Sequence, residues 1–260
     1  MPTLNFKAKV PVFDANVRVG DRRDEVAPSR NRADLLAEMD RHGVDKALIY
    51  HAQGELLSPV DGNRFLEEWL SEGSLSNKDD RLEAQWMMMP TAESLNQIKA
   101  LHTAGRARAV RLHNSRSAGL PFRSWAYDEM LSWLSDAGIP LWIPLPESDA
   151  DELMDTLQRY PKLVTVLVGA HYSHYMWVRP MLQALPNSYL ELSRFEPMNQ
   201  FEALSQDVGA DRLLYGSWYS NYAMGPILFY THHCGWNDEQ LALVCAGNLE
   251  RILAGGGQRD

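Results

Sequence analysis

One phrase recurs along this chain: a helical stretch, a glycine, then a short apolar run. Leu35, Leu36 and Met39 give the first stretch an apolar face, Gly43 ends it, and residues 44–50 follow as a strand. Residues 95–104 end at Gly105 and lead into 107–113. Residues 124–137 end at Gly138 and lead into 139–143, and 201–208 end at Gly209 and lead into 212–215. A glycine in that place suits the left-handed residue that stops a helix. Two more helices, 151–160 and 179–185, reach the strands 163–168 and 189–192 through Pro161 and Pro186. Residues 10–20, with β-branched Val12, Val17 and Val19, and residues 83–89, ended by Pro90, complete a set of eight strands. Each is followed by a helical stretch, and such alternation requires parallel strands joined by right-handed crossovers.

The choice then lies between a closed (β/α)8 barrel and an open doubly wound sheet. A length of 260 residues suits one barrel, which takes about 250 residues. No Gly-x-Gly-x-x-Gly follows the first strand, which counts against a dinucleotide-binding sheet. The expectation is an α/β protein with a single TIM-barrel domain over residues 1–260, in which 255–260 fray as a tail. Residues 21–30 read as a charged loop containing Pro28, and Ser29 or Asn31 can cap the helix beyond it.

The net charge of −9 argues against nucleic acid or an anionic membrane as main partner. Cys234 and Cys245 form no Cys-x-x-Cys pair and read as reduced thiols. The start lacks the apolar run of a signal peptide, and no apolar stretch approaches the roughly 20 residues of a membrane span. These features imply a cytoplasmic protein; local basic clusters can still bind a small anionic molecule as its partner, and a homo-oligomer stays open.

The chain is organised around residues 211–220. Leu213, Leu214 and Tyr215 form a buried strand that opens, past Gly216 and Ser217, into a loop crowded by Trp218, Tyr219, Asn221 and Tyr222. Arg212-Leu-Leu-Tyr-Gly-Ser217, Gly247-Asn248-Leu-Glu-Arg251-Ile-Leu253 and the segment 35–48 resemble the amidohydrolase-related TIM barrels (amidohydrolase family 2). The resemblance implies a metal site made of Asp-x-His-x-His on the first strand, a His on each of two later strands and an Asp after the terminal Gly-Ser. This chain keeps Asp14 but has Asn16 and Arg18 in place of the two histidines. Pro144 falls at the next position, Gly169 or His171 at the following one, and Trp218 where the Asp belongs.

In a TIM barrel the site lies at the C-terminal strand ends. That rule selects Asn16, Arg18, His51, Met89, Arg111, His113, Pro144, Glu147, His171, His174, Ser193, Arg194 and Trp218. A catalytic zinc needs about three protein ligands, which the positions above do not supply, so no metal or other cofactor is expected. A rebuilt site from His51, His113, His171 and His174 is the alternative, set against ordinary hydrogen-bonded histidines. Arg18 can replace the metal's charge toward a carboxylate or carbonyl oxygen. Otherwise it pairs with Asp14, Glu191 or another acid. Trp218 can stack on Arg18 or on a planar substrate, or plug the mouth. Strand alternation puts Arg111 and His113 on one face, and the resemblance implies that Arg111 holds a substrate carboxylate; otherwise it bridges strands inside the barrel.

The catalytic candidates are therefore His171, as general acid or base, with Arg18 and His113. The substrate-binding candidates are Asn16, Arg111, His51, Arg194, Trp218 and Tyr219. No Gly-x-Ser-x-Gly elbow supports a serine nucleophile. The expected function is a metal-independent hydrolase of a small carboxylated or lactone-type substrate. The alternative is a catalytically silent barrel that binds a small anion or serves as a partner subunit.

Overall fold

The computed structural model describes residues 6–21, 26–56, 58–71 and 80–259. The start of the chain, part of the loop expected at 21–30, and the last residue of the expected tail lie outside the described residues. In chain order the elements are β1 (Phe13–Val19), α1 (Arg32–His42), β2 (Lys46–His51), α2 (Gln53–Leu56), α3 (Pro59–Ser71), β3 (Leu82–Ala84), β4 (Trp86–Met88) and α4 (Ala92–Thr103). Then come β5 (Val110–Leu112), α5 (Ser124–Ala137), β6 (Leu141–Pro144), α6 (Ala150–Leu157), β7 (Thr165–Val168), α7 (Tyr175–Ala184), β8 (Ser188–Glu191), α8 (Gln200–Val208) and β9 (Leu213–Leu214). The chain closes with α9 (Gly225–His233), α10 (Asp238–Ala242) and α11 (Asn248–Leu253).

All neighbouring strands pair in parallel, β1 through β3 in one sheet and β4 through β9 in the other. Two sets of hydrogen bonds join these sheets into a ring. Gln85 links β3 to β4: its N–H donates to Ile49 O at 2.8 Å, and the next N–H, of Trp86, donates to Ala109 O at 3.1 Å. At the other seam Ala15 N donates to Tyr215 O at 3.1 Å, and a parallel bridge joins Val17 to Tyr219. β3 and β4 are thus one barrel strand broken at Gln85, and the nine segments occupy the eight positions of a (β/α)8 barrel.

The helix ends follow from local chemistry. Asn31, not Ser29, caps α1: its side chain accepts from Asp34 N, while the Ser29 hydroxyl pairs with Tyr219 Oη at 2.6 Å. Gly43 (φ 73°) and Gly138 (φ 65°) close α1 and α5 in the left-handed conformation. α7 starts a turn before the expected 179–185, directly after a tight turn at Tyr172–His174, so Pro180 lies inside it. Residues of the tail expected at 255–260 are hydrogen-bonded to the barrel. Tyr189 Oη donates to Gly257 O at 2.6 Å, and Arg259 N donates to Asn187 Oδ1 at 2.6 Å. Cys234 and Cys245 are both free thiols.

One large apolar cluster packs the helices on the outside of the strands. A smaller one, with Phe13, Ala15, Leu48, Ala109, Trp142, Tyr189 and Leu214, draws on six of the strands, on Ala109 just before β5 and on α11. Strand alternation places it inside the ring. Trp142 Nε1 donates to Ala15 O at 3.1 Å, so the interior is a packed floor beneath the strand ends. Among the described residues, no helix is long and apolar enough to cross a membrane.

Candidate functional site

The first strand is irregular where it reaches the mouth. Its register to β2 shifts between Asp14 and Val17, a bulge that re-aims the residues beyond it. Asp14 Oδ1 fills the gap in the ladder by accepting from Asn16 N and, across the seam, from Ser217 N, both at 3.0 Å. Asp14 Oδ2 is buried and accepts no hydrogen bond. Burial pushes the Asp14 carboxyl up to about 7, with the charge of Glu191 adding to the effect and the hydrogen bonds opposing it.

Asn16 then ties three strands together. Its Nδ2 donates to Glu191 Oε2 at 3.0 Å, and its Oδ1 accepts from Arg111 Nη1 at 3.2 Å. Glu191 also accepts from Ser193 N (2.6 Å), Ser193 Oγ (2.9 Å) and Gly169 N (3.3 Å). Burial raises its pKa while these donors lower it. A carboxylate with four donors is a fixed part of the frame.

Beside this frame two guanidiniums converge. Arg18 is 2% exposed and Arg111 1%. Arg18 Nη1 lies 3.8 Å from Glu55 Oε2 and Arg111 Nη2 lies 3.9 Å from Glu55 Oε1. Arg18 Nη2 also donates to Ser220 Oγ at 3.2 Å. The Arg111 guanidinium sits 4.0 Å from the centroid of the Tyr50 ring, a cation–π contact, and its Nε has no acceptor. Of the acids open as partners for Arg18, Glu55 is the one that lies beside it.

Trp218 roofs the far side of the mouth in a left-handed conformation, φ 53°. Its ring lies on Gly169, where an added Cβ would meet Trp218 Cζ3 at 2.6 Å. The cation stacked on Trp218 is Arg194, with its guanidinium 5.1 Å from that ring and 5.6 Å from Tyr222; Arg18 had been one of the open alternatives. Tyr219 is buried against Ser29, and its carbonyl accepts from Arg18 N.

The histidines do not gather. His51 stacks on Phe65 at 5.6 Å and fills the space over Gly20. The expected shared face of Arg111 and His113 is not formed, because β5 ends at Leu112 and strand alternation ends with it. The His113 ring instead turns to α5, where Nε2 meets Tyr127 Oη at 2.8 Å. Burial lowers both His51 and His113 to about 4. His171 opens the turn at Tyr172–His174, half-buried, with Nδ1 2.9 Å from Ser173 Oγ. His174 packs on Trp177 and is pushed down by burial and by the charges of His171 and Arg194. Among the described residues, no three His, Cys, Asp or Glu side chains are placed to hold one metal ion. The donors at the mouth also suit a divalent cation poorly, since two buried guanidiniums repel it and Glu191 is committed to four N–H or O–H groups.

Glu55, Tyr50 and Gln85 are the residues that sequence reasoning missed. Glu55 stands four positions past His51, and the strand-end rule stopped at His51. Tyr50 lies within β2 and Gln85 at the break between β3 and β4; only the contact with Arg111 and the break in the ladder reveal that they matter.

The sequence model of a family described as amidohydrolase matches residues 22–253. No curated protein is significantly similar to the chain. Among solved structures, an uncharacterised TIM-barrel protein from Bordetella bronchiseptica is 16% identical, covering 96% of this chain and 100% of its own, with a TM-score of 0.73. The 5-carboxyvanillate decarboxylase from Sphingomonas paucimobilis is 14% identical over 94% and 99% of the two chains, TM-score 0.67. The 4-oxalomesaconate hydratase from Rhodopseudomonas palustris is 12% identical over 94% and 96%, TM-score 0.69. At these identities the likeness is one of fold.

Proposed function

From the premise that this chain belongs to the amidohydrolase family, we propose that it binds a small carboxylated molecule at the barrel mouth and acts on it without a divalent metal. One observation carries the reading: Arg18 and Arg111, both almost wholly buried, face a single carboxylate position. Two desolvated guanidiniums make a seat for one anion, and charge-assisted contacts there are about twice as strong as neutral ones. Two structural neighbours have substrates that are carboxylates by name, 5-carboxyvanillate and 4-oxalomesaconate, which supports the same ligand class. In this reading Arg111 and Arg18 orient the carboxylate, and Trp218 with Arg194 closes over the rest of the molecule. His171 moves a proton through Nε2, the nitrogen left outside its contact with Ser173. The reaction is hydrolysis of a lactone or similar ester bond beside the carboxylate.

A second reading is a silent barrel that binds the same kind of anion. It is favoured by the closure of the mouth, where Asp14, Asn16, Arg111 and Glu191 are buried and tied to one another. The test is an assay of chelator-treated protein on lactones and small carboxylates, followed by proton release, with thermal shift on the same compounds. Turnover that is lost in Arg111→Met supports the enzyme. Binding without turnover supports the silent barrel. If no carboxylate binds, both readings fall.

A further inference from the structure

The mouth holds two acidic side chains of opposite character. Glu191 is saturated by four donors from three neighbouring segments. Glu55 has two guanidiniums at 3.8 and 3.9 Å, about 1 Å beyond the length of a charge-assisted hydrogen bond. Its side chain is 8% exposed, so it reaches solvent, whereas Glu191 does not. Glu55 also comes from α2, one turn in the β2–α3 crossover, while both arginines come from strands.

We infer that Glu55 is an internal stand-in for the ligand's carboxylate: it occupies the seat between Arg18 and Arg111 and swings out when a carboxylate enters. The inference rests on the carboxylate-binding reading above and adds a competitor built into the chain. The occupant must be a carboxylate or an anion of its size, because the seat accommodates the head of a glutamate. The backbone under Glu55 cannot carry the movement. Gly54 lies on Met87, and Gly62 of α3 lies on Gly54, so close that an added Cβ would meet Met87 Sδ at 2.5 Å and Gly54 Cα at 2.3 Å respectively. With α2 pinned in this way, the exchange is a rotation of one side chain. An unoccupied seat would leave the buried Arg111 guanidinium without its ion-pair partner, which is strongly unfavourable. The stand-in therefore keeps the ligand-free protein folded and lowers apparent affinity by the fraction of time the seat is open.

The experiment uses the full chain and sodium benzoate as probe, followed by tryptophan fluorescence and thermal shift, in wild type, Glu55→Gln, Glu55→Asp and Arg111→Met. Glu55→Gln should bind benzoate about tenfold more tightly, the effect of removing a competitor that holds the seat nine-tenths of the time. Its ligand-free melting point should fall, and benzoate should restore more of it than in wild type. Glu55→Asp keeps the charge, retracts it by one methylene, and should fall between the two even if Glu55→Gln fails to fold. If benzoate binding depends on Arg111 but neither Glu55 variant tightens it, the stand-in is overturned while the carboxylate seat remains. If binding is absent or indifferent to Arg111 in every protein, the seat itself is overturned and the stand-in with it.

Discussion

The ring of Trp218 lies directly on Gly169, so that even one methyl group on residue 169 would reach within 2.6 Å of Cζ3. Both residues are left-handed, at φ 53° and 70°. Gly169→Ala should therefore destabilise twice, by about 1–2 kcal/mol for an L side chain in that conformation and by about 1–3 kcal/mol for overpacking. Removing the ring relieves only the second part. Denaturant unfolding of Gly169→Ala, Trp218→Ala and the double variant should show a double loss smaller than the sum of the single losses. Additive losses would mean that the two residues do not bear on each other.

Much of the fold was legible because helix–glycine–strand punctuation is local chemistry. Gly43 and Gly138 stop their helices as left-handed caps, as their places in the sequence imply. The candidate site was legible only in part. Arg111 and Arg18 stand at strand ends and do face the mouth, because alternation along a strand fixes direction. His113 follows the last residue of its strand, and there the rule has no force. Glu55 lies on a crossover turn, and its place between two arginines depends on the packing of Gly54 and Gly62, a tertiary contact that no periodicity encodes.

That packing gives a second prediction. Gly62→Ala places a methyl group against the backbone of Gly54 inside α3, where nothing flexible can yield. The variant should lose about 1–3 kcal/mol, although alanine is by itself the better helix former. A melting temperature equal to or above wild type would show that α2 is not pinned.

Asp14 gives a pH dependence whose sign can be worked out. Its folded pKa, about 7, lies above the ordinary value of 3.8. Between those values the unfolded chain has lost the proton and the folded chain keeps it, so this group's contribution to stability falls as pH rises through the window and levels off above it. Asp14→Asn keeps the Oδ1 acceptor for Asn16 N and Ser217 N and removes the titration. Its stability relative to wild type should therefore climb from pH 4 to pH 7 and then stay flat, measured by urea unfolding at several pH values. His51 and His113 titrate in both proteins and cancel. A difference independent of pH would show that Asp14 ionises normally.

The central claim is a carboxylate seat made by guanidiniums without a divalent cation. Its most direct test is calorimetric titration of benzoate into chelator-treated protein, before and after adding zinc, in wild type, Arg111→Lys and Arg111→Met. The account predicts that wild-type affinity is the same with and without zinc. It predicts that Arg111→Met weakens binding about ten- to a hundredfold, the loss of one charge-assisted contact of roughly 1.5–3 kcal/mol, with Arg111→Lys between the two. Binding that vanishes on chelation and returns with zinc, or an Arg111→Met protein that binds as well as wild type, would contradict it.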